Sequence, residues 1–353
     1  MKDCDFIITS LNNLINGQEP EINIAPLLFH HHCFYLLTKL NVPSEYTKQI
    51  HIGNFLNQLN IAERFKQCNS VFSDLEAYQI DYAVIKGAVL SLAAYGNPYC
   101  RQSGDMDILI DRAKIDAVGQ IMNRNGFIQG RVIGDKIVPY TRKERIFQLS
   151  MSHQTAPFVK AIGNPFCPYI NVDVNMDIMW GESKAKTDMK SFLSHSNEIS
   201  LCGTTFRRLS PAAEFISLCL HHYKDFNSIY LLATRGISLN HLCDILFYLK
   251  TSAPPLPELL EMSKAYRATD YIYCCLYYVS LVFHDSVLMD YLEAFRICKT
   301  TDLTPYYGLD DRERKEWNIS FADRLFNEDF PKKFYDGLSP QDKEKVKNNQ
   351  AYM

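Results

Sequence analysis

The chain lacks an excess of either charge. Across 353 residues, 37 Lys and Arg face 40 Asp and Glu, a formal net charge of −3. That balance argues against a generic polyanion binder, which needs a broad basic face. A local basic site for a triphosphate stays open, because it needs only a few side chains. No apolar run is long enough for a bilayer: the longest, Tyr271 to Phe283, is short and contains Ser280. The opening MKDCDFIITS has no basic region followed by a long apolar stretch, so no signal peptide is expected. No Cys-x-x-Cys pair occurs among the eleven cysteines, and their number is odd. They read as buried, reduced thiols of a cytoplasmic protein with no membrane partner. Internal repeats, low-complexity tracts and long flexible linkers are also missing.

What is present is ordinary for a globular protein, with 47% hydrophobic and 22% charged residues. The length allows two domains. Residues 1–78 read as a helical segment, residues 79–205 as a core of strands and helices, residues 206–338 as a helical domain and residues 339–353 as a frayed tail. Phe55 to Tyr78 reads as one long helix. In the run His30-His31-His32, adjacent helical residues point in different directions, so a half-buried helix face is expected there rather than a metal site. Asp111 to Asn125 is expected as a helix stopped by Gly126. Phe127 to Val138, with Gly130 and Gly134, reads as a hairpin, and Arg145–Met151 and Ala156–Ile162 read as strands. His153, between them, reads as a turn residue. Ser210-Pro211 is a helix entry. The segments 237–249, 258–267, 271–283 and 286–298 repeat a helical stripe. Of the adjacent His221 and His222, one is expected in the core, and Asp244 reads as structural. Trp317, Phe321, Leu325 and Phe326 suggest one amphipathic helix in the charged tail.

One stretch organises the chain: YAVIKGAVLSLAAYGNPYCRQSGDMDILI, Tyr82 to Ile110. It reads as a short apolar strand, a turn at Lys86-Gly87, a small-residue helix from Ala88, a loop, and a second strand carrying Asp105 and Asp107. Alternation puts Asp105 and Asp107 on one strand face, with Met106, Ile108 and Ile110 on the other, in the core. Two such carboxylates repel unless a cation sits between them, and magnesium, which takes oxygen ligands, is the expected occupant.

The ordered string Lys86-Gly87, Tyr95-Gly96-Asn97-Pro98, Arg101 and Gly104-Asp105-Met106-Asp107-Ile108-Leu109-Ile110 resembles an uncharacterised bacterial nucleotidyltransferase family of the DNA polymerase β-like superfamily. The resemblance implies an α+β fold: a mixed sheet flanked by helices, with an all-helical C-terminal domain. It also implies a third acid on a later strand. Tyr169 to Met176 reads YINVDVNM, with Asn171, Asp173, Asn175 and Asp177 on one face. Taken alone, that face fits solvent as well as a site. The resemblance selects Asp173 as the third carboxylate, with Asp177 as the fallback. Two departures stand out. Ala88 replaces the Ser that commonly touches a phosphate, and Asn175 stands where relatives often carry His.

The resemblance further implies the chemistry. Two magnesium ions would be held by Asp105, Asp107 and Asp173. Lys86, with the amides of Gly87 and Ala88, would hold the phosphates of a nucleoside triphosphate, ATP being the first expectation. Arg101 would either grip the same phosphates or pair with Asp105 or Asp107, and Ser103 would replace the missing hydroxyl. The acceptor is expected to be a small hydroxylated molecule or a protein or peptide rather than a long nucleic acid. The alternatives are a non-catalytic binding module on the same fold, and a toxin that nucleotidylates a protein or tRNA.

Overall fold

A computed structural model describes residues 2–40, 44–181, 183 and 185–351. The chain divides into two compact units. A sheet unit comprises Pro43–Ser217 and Thr251–Pro254, and a helical unit comprises Met1–Val42, Leu218–Lys250 and Pro255–Met353.

Eight strands build the sheet unit: β1 (Tyr82–Ile85), β2 (Met106–Ile110), β3 (Ile128–Ile133), β4 (Lys136–Pro139), β5 (Phe158–Asn164), β6 (Cys167–Asn175), β7 (Ser196–Leu201) and β8 (Thr204–Leu209). Their order is β4-β3-β5-β6-β2-β1-β8-β7. The sheet is mixed: β1 runs antiparallel to β2 and parallel to β8, while β2 runs parallel to β6. The central strands β1 and β2 are buried at every residue, as strands covered on both faces must be. One face carries Tyr82, Val84, Met106, Ile108, Ile110, Val172 and Val174. It shares a core with Ile61, Phe65, Cys68, Val71, Phe72 and Leu75 of the helix Ser44–Ala77 and with Val118, Ile121 and Met122 of the helix Ile115–Arg124. These spacings of three and four residues form a single helical stripe, and fully burying each large side chain contributes about 1.5–3 kcal/mol.

Several local expectations meet a different structure. Arg145–Met151 is not a strand: the helix Arg142–Met151 occupies it. Its start is fixed by a capping box, in which Thr141 accepts from the Glu144 amide and Glu144 reaches back to the Thr141 N–H. That Thr-x-x-Glu signal favours a helix over the expected strand. The long helix begins at Ser44 rather than Phe55. The β7–β8 hairpin went unread, because its two-residue turn is Cys202-Gly203, both at positive φ, and Cys is not an ordinary turn residue. The β3–β4 hairpin lies where the glycines suggested. Gly130 is required there, since a Cβ would meet the Val138 carbonyl oxygen at 2.7 Å.

The helical unit is built from helices joined by short turns, apart from a two-stranded ribbon pairing Tyr306–Tyr307 with Lys315–Glu316. The expected helix across His30–His32 stops at His30. His31 is buried, its Nδ1 accepts from the Leu239 amide at 3.3 Å, and burial pulls it down to about 4. The tail holds three helices, Phe321–Phe326, Phe330–Gly337 and Pro340–Ala351, where one was expected. Asp329 precedes Phe330-Pro331, and Pro at the second helical position starts a new helix. The last helix lies where fraying was expected. It buries Val346 and pairs Asp342 with Lys315. None of the eleven cysteines forms a disulfide, and seven are buried. Among the described residues, no helix is long and apolar enough to cross a membrane.

Candidate active site

The β1 strand ends at Ile85 and hands over to a strained turn. Lys86 has φ 57° and ψ −153°, and Gly87 has φ 46°. A residue with a Cβ pays about 1–3 kcal/mol for such a backbone, which persists only where surrounding structure enforces it. Two contacts do so here. The Lys86 carbonyl accepts the Leu90 N–H at 3.0 Å, opening the helix Gly87–Tyr95. The Lys86 ammonium lies 3.0 Å from Asp107 Oδ1. A β-carbon on Gly87 would stand 3.1 Å from Ser103 Oγ, so glycine is needed for the close approach as well as for its φ. The free amides at this helix start form an anion-holding end, and Ala88 is buried immediately inside it.

The acids come from adjacent strands. In the parallel β2–β6 ladder Asp107 pairs with Asp173, and Leu109 with Asn175. Neighbouring strands lie about 4.8 Å apart, so paired residues project from one face side by side. Asp105 precedes β2, two residues before Asp107 and so on the same side. Electrostatics reports the crowding. Burial, then the Asp107 charge, raises the Asp105 carboxyl above its ordinary range, against the pull of Lys86 and Arg64. Burial, then Asp107 and Asp105, pushes Asp173 up to about 7, with Lys86 opposing.

Asp177 has a different task. Its Oδ1 accepts the Met179 N–H at 3.0 Å and its Oδ2 the Thr187 N–H at 3.4 Å, so it closes the turn after β6. His153 sits in the neighbouring bend, where its carbonyl accepts the Met176 N–H at 2.7 Å.

The loop between the helix and β2 is pinned through its backbone. Arg101 donates its N–H to Ser91 Oγ at 3.0 Å, and its carbonyl accepts from Asn57 Nδ2 at 3.1 Å. The Ser103 hydroxyl donates to the Asp105 carbonyl at 2.8 Å. It therefore stands beside Gly87 and braces the residue that carries the first acid.

Two contributors escaped the sequence reading. Arg64 is buried, with its guanidinium 3.0 Å from the Ser103 carbonyl and 3.4 Å from its hydroxyl. Its signal was positional: a charged residue at an inward position of the stripe Ile61, Phe65, Cys68. Asn175, read only as a departure, donates to Asp107 Oδ1 at 3.0 Å and accepts from Gln154 Nε2 at 2.9 Å. Asp107 Oδ1 is thus held by both Lys86 and Asn175.

A mixed α+β sheet thus brings paired acids on adjacent central strands beside the N-terminal end of a helix. The chain belongs to the family of uncharacterised nucleotidyltransferases, which matches residues 23–284. It is similar to the crystal structure of an antigenic nucleotidyltransferase-like protein from Paracoccidioides brasiliensis, at 18% sequence identity and a TM-score of 0.40, over 66% of this chain and 93% of that one. No curated protein matches the chain.

Proposed function

We propose that the protein is a magnesium-dependent nucleotidyltransferase. It moves a nucleoside monophosphate group from a triphosphate, ATP first among the candidates, to a hydroxyl of a small molecule or of a protein or peptide. The observation that carries this reading is the register of Asp107 against Asp173, with Asp105 alongside and Lys86 at the helix opening. The donor set consists of carboxylate oxygens whose ionised forms disfavour one another, which fits a hard divalent cation. Asp105 and Asp107 would hold both magnesium ions and Asp173 one of them. When bound, the ions supply charge neutralisation for the phosphoryl oxygens and the leaving pyrophosphate.

This chain's own groups do the rest. Lys86 and the amides of Gly87 and Ala88 hold the β- and γ-phosphates, and Arg101 is placed on the loop that borders them. The acceptor oxygen attacks the α-phosphorus. The bond from the α-phosphorus to its bridging oxygen breaks, and the electron pair leaves with pyrophosphate. Asp173, beside the Asp105–Asp107 pair and a ligand of one ion only, would take the acceptor's proton. The composition argues for a partner other than a long nucleic acid and for a cytoplasmic setting.

A second reading, a binding module without turnover, is favoured by two contacts: Asn175 and Lys86 both occupy Asp107 Oδ1. Calorimetry with each of the four triphosphates tests the proposal. Binding that requires Mg²⁺ and fails in Asp107→Asn supports it. Folded protein that binds none of them refutes it. Mg²⁺-dependent binding with no pyrophosphate release, from any acceptor mixture, supports the module instead.

A further inference from the structure

We propose that the helical unit carries a transition-metal site, of the kind zinc fills, formed by His221, His222 and Asp225 with His241 beside them. The inference is independent of the reading at Asp105, Asp107 and Asp173 and uses none of those residues.

His221 and Asp225 lie one turn apart on the helix Pro211–Asn227, with Nε2 and Oδ2 3.4 Å apart. His241, from the helix Leu239–Thr251, brings its Nε2 to 3.8 Å from the same carboxylate oxygen. One ligand atom each from His221, His222 and Asp225 lies within 4.8 Å of the others. Adjacent histidines ordinarily diverge on a helix, yet these two rings have centroids 5.5 Å apart. A tetrahedral ion with bonds of about 2.0–2.1 Å separates its ligand atoms by roughly 3.3 Å. The observed 3.4 and 3.8 Å edges are therefore close to those a bound ion imposes.

A second observation points the same way. His222 is fully buried, and its Nδ1 has no hydrogen-bond partner. Buried polar groups without a partner are rare in native proteins and call for an explanation. The ring stacks on His241 with centroids 4.4 Å apart. Its Nε2 faces the buried carboxylate of Asp244, Oδ2 lying at 3.4 Å. A carboxylate behind one ring nitrogen, with the other left to a metal, is the usual support of a ligating histidine. The His221, Asp225 and His241 side chains are 24%, 16% and 21% exposed, so an ion has a way in and a water can complete its shell. Imidazole nitrogens with a single carboxylate select zinc, cobalt or nickel over magnesium.

The test uses the full, untagged chain, stripped with EDTA, equilibrated with ZnCl₂ and desalted. Metal content is read by mass spectrometry, and Co²⁺ replaces zinc for the visible spectrum. Wild type and Asp107→Asn should each retain about one zinc per chain and show intense Co²⁺ bands of four-coordinate type. Asp225→Asn should lose the bands and bind zinc at least about tenfold more weakly. Should Asp225→Asn fail to fold, His221→Gln, at a partly exposed position, is read in its place. Equal zinc retention by wild type and the folded variant, or none by wild type, overturns the proposal.

Discussion

Asp173→Asn should stabilise the metal-free protein, and the gain should depend on pH. In the folded chain the Asp173 carboxyl is raised from 3.8 to about 7, first by burial and then by Asp107 and Asp105. The folded state therefore holds this proton more tightly than the unfolded one. The sign follows: below about pH 4 both states are protonated and no penalty exists, and as pH rises to about 7 the folded state loses stability; above 7 the penalty is complete. A shift of that size corresponds to roughly 4 kcal/mol at pH 8. The side chain is partly exposed, and with solvent screening about 2 kcal/mol remains. For a unit of this size that is a rise of about 4–8 °C in melting temperature. The assay is thermal unfolding of wild type and Asp173→Asn in EDTA at pH 4.5 and pH 8. The curves should converge at the lower pH and separate at the higher one. Adding Mg²⁺ at pH 8 should raise the wild type more than the variant, which lacks one carboxylate. A variant equal to or less stable than wild type at pH 8 would refute the crowded-carboxylate reasoning.

Lys86→Met removes the cation that lies 3.0 Å from Asp107 Oδ1 in a mostly buried pair; it should cost about 3 kcal/mol at pH 8 by urea unfolding and weaken triphosphate binding by calorimetry. Gly87→Ala puts a Cβ 3.1 Å from Ser103 Oγ at φ 46°. Its expected cost is about 1–2 kcal/mol in the same unfolding assay, and an unchanged midpoint would show the turn to be relaxed. Asp177→Ala removes the acceptor of the Met179 and Thr187 amides. It should lower stability by about 1–3 kcal/mol while leaving Mg²⁺-dependent triphosphate affinity unchanged; loss of affinity would place Asp177, not Asp173, in the ion shell.

The strands at the centre of the sheet were legible because short apolar runs, and the alternation of Tyr169 to Met176, lie beside turn glycines. Tyr82–Ile85, the Asp105–Ile110 stretch and the strand bearing Asp173 could be read residue by residue. Register was not legible: that Asp107 faces Asp173 depends on the parallel β2–β6 pairing, which no local pattern encodes. Arg64 was missed for the same reason, since its target, Ser103, is distant in sequence. The segment Arg142–Met151 shows the opposite case, where a local capping signal, Thr141 with Glu144, sets a helix in place of the expected strand. His221 and Asp225 stand one turn apart on a single helix, but His241 joins them only through the packing of a second helix, so spacing along the chain could not reveal the set.

The central claim is transfer of a nucleoside monophosphate, and the position of the label tests it most directly. Purified protein, Mg²⁺ and a cell extract are incubated with triphosphate labelled at the α-phosphorus or, separately, at the γ-phosphorus. The account predicts label on an extract component from the α-labelled substrate only, with pyrophosphate released, and no transfer by Asp107→Asn. Label delivered from the γ-position, or equal α-label transfer by wild type and Asp107→Asn, would contradict it.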